Sequence, residues 1–189
     1  MDRNVYYFSE TDKGVAEEGI KDGYVLWISE GEYGCDQMMC SLNNKGPITA
    51  MKYLYNATKD WANVPNIQMD YTDDGNSGEY GYGGIYTTGN TTRITMKDGT
   101  ITAEFTDLKA RMPIVSEIQD GHNYLYENLS ANSDEGVGIP GYWTLSSSES
   151  SNAKYMKYTG SVDSIYVGDS ASPATDSDCG VRPVINLKL

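Results

Sequence analysis

The segment from Gly141 to Leu189 constrains this chain more than any other, because a tract rich in Ser, Asp and Tyr lies there between two ordered motifs, GYWTLSSS and GVRPVINLKL. Between the motifs come two short strand-like runs, Lys154–Tyr158 and Ser164–Val167, joined by loops of Ser, Asp, Ala and Gly, the residues that turns use. A rigid scaffold that displays a polar, Tyr-bearing surface has this form. Tyr gives rigid amphipathic contact area at small entropic cost and Ser gives adaptable hydrogen bonding, the pairing that recognition surfaces favour. A solvated β-loop region draws on the same residue types.

At 189 residues the chain has the length of one ordinary domain and can bury a core without metals or staples. Sixteen Tyr stand against two Phe, so much of the aromatic surface carries a hydroxyl and suits half-buried positions or ligand contacts. The net charge of −13, with no Lys/Arg cluster to offset it, repels phosphate backbones and anionic membranes. No nucleic-acid partner is expected. No apolar run reaches the roughly 20 residues of a membrane span, so no insertion by this chain is expected. The start, MDRNVYYFSE, does not resemble a signal peptide. An extracellular or cell-surface location therefore requires that a leader or anchor was removed.

Several segments announce their structure. Val5 to Phe8 and Tyr24 to Ser29 read as strands. In GPITAMKYLYNATKDW, residues Ile48, Met51, Leu54 or Tyr55, Thr58 and Trp61 share one stripe at helical spacing, which predicts a helix from Pro47 to Ala62. Asp70 to Gly89 is rich in Gly, Tyr and Asp and lacks either period, so it reads as a long surface loop with room for an embedded hairpin. TTRITMKDGTITAEF alternates around Asp98-Gly99 and predicts a hairpin. Ser116, three residues before Gln119, has capping-box spacing and predicts a second helix with Ile118, Leu125 and Leu129 on its apolar face, ended or kinked by Gly121. No internal repeat or linker separates two domains.

Chemistry is short of parts. His122 is the only His, which excludes a His-based metal cluster or a nucleophile–His–Asp arrangement with a spare. Cys35 and Cys40 are either a disulfide or two thiols, and Cys179 reads as a thiol with nothing nearby to lower its pKa. GYGGIY lacks the Lys and the following helix of a phosphate-binding loop. Asp70, Asp73, Asp74, Asn76 and Glu79 supply oxygen donors of the kind calcium takes, but without the ligand rhythm of an EF-hand, and they read as a solvated acidic loop. No cofactor is therefore expected, with calcium at this acidic loop as the alternative.

Lys109-Ala110-Arg111-Met112-Pro113 followed by Ser116-Glu117-Ile118, then GYWTLSSS and GVRPVINL, resembles the C-type lectin-like domains of the formylglycine-generating-enzyme branch, including prokaryotic surface proteins. The resemblance covers Lys109 to Leu189, and the first helix matches in position only. Arg111 and Arg182 are natural partners for a half-buried carboxylate such as Glu117, and Trp143 suits the core. The oxidases of that branch need a reactive cysteine pair in the C-terminal core, where this chain offers only Cys179, so oxidase activity is not implied.

The same branch holds the variable proteins of diversity-generating retroelements, in which adenine-directed mutagenesis alters selected codons. That mechanism would leave Glu149, Lys154, Met156 and Lys157 fixed, while Ser150, Tyr155, Ser161, Asp163, Tyr166, Asp169 and Cys179 are among the reachable positions. The expectation is thus a single α+β domain of C-type lectin-like fold over residues 1–189, with 142–183 as a display region. Tyr155, Tyr158, Ser161, Asp163, Tyr166 and Asp169 are the expected contacts, above Tyr142 and Trp143, for a protein or glycan ligand or for a second copy of the chain. The function implied is recognition without catalysis; the alternative is a fixed adhesin or a pilin- or tail-like subunit of the same fold.

Overall fold

The computed structural model describes residues 3–6, 20–21, 24–25, 27–28, 45–75, 81–120, 141–148, 152–157, 162–166 and 179–187. These form an α+β fold with two helices and mostly antiparallel sheets. Strands β1 (Arg3–Tyr6), β2 (Ile20–Lys21) and β3 (Tyr24–Val25) precede helix α1 (Ile48–Thr58). A four-stranded meander follows: β4 (Asp70–Thr72), β5 (Tyr82–Thr88), β6 (Thr91–Met96) and β7 (Ile101–Thr106). Helix α2 (Val115–Asp120) leads to β8 (Gly141–Ser148), β9 (Asn152–Lys157), β10 (Val162–Tyr166), β11 (Cys179–Gly180) and β12 (Val184–Leu187). The second four-stranded sheet runs in the order β10-β9-β8-β11, and β1 pairs with β12, joining the two ends of the described chain.

The expected stripe on α1 is in place: Ile48, Met51, Leu54 and Thr58 are buried and Tyr55 packs at the edge of the core. The helix is shorter than expected. After Thr58, whose hydroxyl bonds back to the Leu54 carbonyl, the Trp61 N–H turns to the Thr58 carbonyl three residues back, and Pro65 follows without an N–H to continue a helix.

The Asp98-Gly99 hairpin pairs β6 with β7 as expected. Its turn closes from the Met96 N–H to the Thr100 carbonyl at 2.8 Å, with Asp98 accepting the Thr100 N–H and Gly99 at φ +85°, a conformation open to glycine at no steric cost.

One expectation is sharpened and two are corrected. The hairpin for which Asp70 to Gly89 left room is present as β4 and β5, paired Tyr71 to Ile85, and a register shift between Tyr82 and Gly84 breaks the alternation that would have marked the second strand. Trp27 and Ile28 are not in a strand. They bend away after β3 to fill the core, where the Trp27 ring meets Tyr82 edge-on at 5.7 Å. Finally, α2 is capped by Glu117 and not by Ser116. The Glu117 carboxylate accepts the Ile114 N–H, while both guanidinium nitrogens of Arg111 grip it, so the acidic half of a capping box is supplied without a Ser at its start. Gly121, Leu125 and Leu129 lie outside the described residues.

Candidate functional site

The polar tract is held at both ends by buried strands that lie side by side. β8 and β11 are parallel neighbours, with Cys179 opposite Gly141 and Gly180 opposite Tyr142, so the strand that follows the tract lies beside the start of β8, while the tract itself begins at the other end of β8, after Ser148. Gly141 to Ser147 are all buried, and so are Cys179, Arg182, Val184 and Ile185 at the return. Arg182 does not take Glu117, which belongs to Arg111; its guanidinium lies 4.4 Å above the Tyr142 ring. Burial pulls the pKa of Arg182 below its ordinary value, against the opposing effect of Tyr142.

β9 covers β8 and is buried on two sides. Tyr155 faces the main core, edge-on to Trp143 at 6.2 Å, while Met156 faces a smaller cluster with Ile118 of α2 and Tyr142. The contact expected of Tyr155 thus meets a different placement: at 7% exposure its ring packs among the supporting residues. Asp163 and Tyr166 are on β10, the outer strand of this sheet, opposite Tyr155 and Asn152. Tyr158, Ser161 and Asp169 lie outside the described residues.

Beneath the start of the tract is a polar junction that the sequence reading did not assemble. Between Trp143 and Ser147, β8 carries two more residues than β9 does, a bulge stabilised by the Thr144 hydroxyl donating to the Lys154 carbonyl at 2.8 Å. The bulge turns Ser146 and Ser147 toward β4. There Asp73, 1% exposed, accepts the Ser147 N–H at 3.0 Å and the Tyr71 hydroxyl at 2.9 Å on Oδ1, and the Ser147 hydroxyl on Oδ2. The Tyr71 oxygen is also 3.0 Å from Ser146 Oγ, which accepts the Val115 N–H at 3.2 Å. A chain of hydrogen bonds therefore runs from the start of α2 through Ser146 and Tyr71 to Asp73.

The electrostatics of the junction follow from its burial. Burial raises the pKa of the Asp73 carboxyl above the ordinary carboxylate value; the bonds from Ser147 and Tyr71 pull it back, and the charge of Asp74 adds to the rise. Burial and the neighbouring Asp73 also raise the Tyr71 phenol, keeping it a neutral donor. Close approach is built into the backbone: a Cβ on Gly75 would stand 1.8 Å from the Ser147 carbonyl oxygen. The one hint in the sequence was the run Ser146-Ser147-Ser148 at the end of an otherwise apolar strand.

The acidic loop is divided by this arrangement. Asp73 turns inward and spends its oxygens on Ser147 and Tyr71, Asp70 and Asp74 stay exposed, and Asn76 and Glu79 lie outside the described residues. Among the described residues, no group of three His, Cys, Asp or Glu side chains could hold a metal ion. Cys179 is a buried thiol; Cys35, Cys40 and His122 lie outside the described residues. Among the described residues, no helix is long and apolar enough to cross a membrane. Compared with family models, curated proteins and solved structures, the chain matches none of them.

Proposed function

We propose that this chain is a recognition domain without catalytic activity, of C-type lectin-like fold, whose binding face is built on β10 and the flanking polar segments of residues 149–178. The observation that carries the proposal is the adjacent, buried pair β8 and β11, which holds both ends of a Tyr-, Ser- and Asp-rich tract on a packed platform. Within this tract β9 is part of the core, with Ala153, Tyr155 and Met156 buried, so tolerance of sequence change is proposed for the polar segments outside β9. The order of elements, with α2 and the Arg111–Glu117 pair before the GYWTLSSS strand, supports the lectin-like reading.

Asp163, Tyr166, Tyr158, Ser161 and Asp169 are the proposed contacts, with Tyr155, Tyr142 and Trp143 as their support. The ligand is a protein or a glycan at the cell surface. A diversified tract is the narrower form of the proposal, and full burial of Met156, a position adenine-directed mutagenesis leaves fixed, favours it.

The test replaces residues 158–161 and 167–178 with Gly/Ser segments of equal length and compares both proteins on glycan and surface-protein arrays. The expected result is a folded domain that has lost the binding seen with the parent. Unchanged binding would overturn the proposal, and concentration-dependent assembly abolished by the replacement would instead favour a structural subunit.

A further inference from the structure

We infer that Asp73 and Ser147 form a latch on the strand that leads into the tract, and that the latch tightens when Asp73 takes up a proton. The inference rests on the reading of residues 149–178 as the recognition tract and concerns how that tract is held.

Three geometric facts carry it. Ser147 is the last buried residue of β8 before the tract, and two of the three hydrogen bonds that Asp73 accepts come from it. The bulge after Trp143 displaces β8 so that these two residues meet, and Gly75 lets the backbones touch there. The carboxylate is buried with no Lys or Arg bonded to it among the described residues.

Among the described residues, the titratable groups facing Asp73 are Tyr71 on β4, Asp74 beside it and Tyr82 on β5, and β8 contributes Ser146 and Ser147. None of these groups is positive. An ionised Asp73 is therefore desolvated without a counter-charge among the described residues, which favours transient opening of the junction to water. A protonated Asp73 loses that penalty and keeps its contacts. Oδ1 still accepts the Ser147 N–H and the Tyr71 hydroxyl, while Oδ2 changes from accepting the Ser147 hydroxyl to donating to it. The proton uptake reverses one hydrogen bond and breaks none. The direction agrees with the raised pKa of the buried carboxyl.

The experiment follows amide hydrogen exchange by NMR in the full chain, without any ligand, and compares the protection factor of Ser147 with that of Ile94 in the other sheet. In the parent, Ser147 protection is expected to rise as pH falls, by up to about tenfold per unit, and to rise by more than that of Ile94, which follows the stability of the whole domain. Asp73→Asn should hold Ser147 protected at every pH, and Asp73→Ala should leave it exposed at every pH. If Asp73→Ala does not fold, Ser147→Ala removes only the hydroxyl and should lower the protection of the residue-147 amide. A parent profile that is level with pH, or full protection in both Ala variants, would overturn the inference. Because no ligand enters the measurement, its failure leaves the recognition reading standing, and failure of that reading on the arrays leaves the latch standing.

Discussion

The Trp27 indole N–H donates to the backbone carbonyl of Thr144 at 2.9 Å across 117 residues of sequence, and both partners are fully buried. The bond fastens the N-terminal part of the chain to the bulge of β8, where strand pairing leaves backbone groups in need of other partners. Trp27→Phe keeps most of the packing and leaves that carbonyl without its donor, so a loss of about 1–3 kcal/mol is expected in urea unfolding. Trp27→Ala adds a cavity beside Tyr82 and should cost about 3–5 kcal/mol. A neutral Trp27→Phe would show that the hydrogen bond contributes nothing beyond the ring.

Arg111 and Glu117 form a bidentate pair whose side chains are 10% and 18% exposed. Glu117→Ala removes the partner of a nearly buried guanidinium and a cap of α2 together, and should lower stability by about 3–5 kcal/mol. Arg111→Lys keeps the charge but not the fork, so a smaller loss is expected, and a double-mutant cycle should give a coupling energy well above that of the exposed Arg93–Glu104 pair. A coupling near zero would place the stability of this corner in packing alone.

Which of these features could be read from the sequence depended on how local they were. The α1 stripe and the Asp98-Gly99 hairpin are set by neighbours within a few residues, and the sequence reading placed them closely. So did the Arg111–Glu117 pair, six positions apart. Tyr82 to Thr88 was hidden because Gly83, Gly84 and a bulge break the period that marks a strand. Tyr155 looked like a surface residue because it lies in a polar tract; its burial depends on Trp143 opposite it and on the main core that the two rings share. The Asp73–Ser147 junction joins residues 74 apart through a bulge, and no local pattern encodes such a contact.

Gly75→Ala tests how closely β4 and β8 approach. The added methyl would meet backbone, the Ser147 carbonyl oxygen at 1.8 Å, which cannot swing away as a flexible side chain would. A loss of about 1–3 kcal/mol is expected, with chemical-shift changes concentrated at Asp73, Ser146 and Ser147. A neutral substitution would mean that the two segments separate freely in solution.

The stability of the whole domain should carry the signature of Asp73. Its folded-state pKa is raised above the reference value of 3.8, so the stability it contributes is fully present below that value and is lost as pH rises through the folded value. Asp73→Asn keeps the acceptor and gains an N–H for the Ser147 hydroxyl, but it cannot ionise. Measured by urea midpoint from about pH 4 to about pH 7, the parent should lose stability relative to Asp73→Asn as pH rises. A parent that gains on the variant toward neutral pH would show that its hydrogen bonds outweigh its burial.

A diversified tract makes a sharper demand on Tyr155 than on its neighbours. The ring is inside the core against Trp143, so although an adenine-rich codon there could yield many residues, only those able to fill the same volume would keep the fold. Sequencing codons 149–178 from many cells of the source population should therefore show Met156 fixed, Tyr155 held to large side chains, and free variation at Asp163, Tyr166 and the flanking loops. Free variation at codon 155 would contradict the packing of β9 on Trp143. A uniform tract would remove diversification, and the platform of β8 and β11 would then present one fixed surface to one partner.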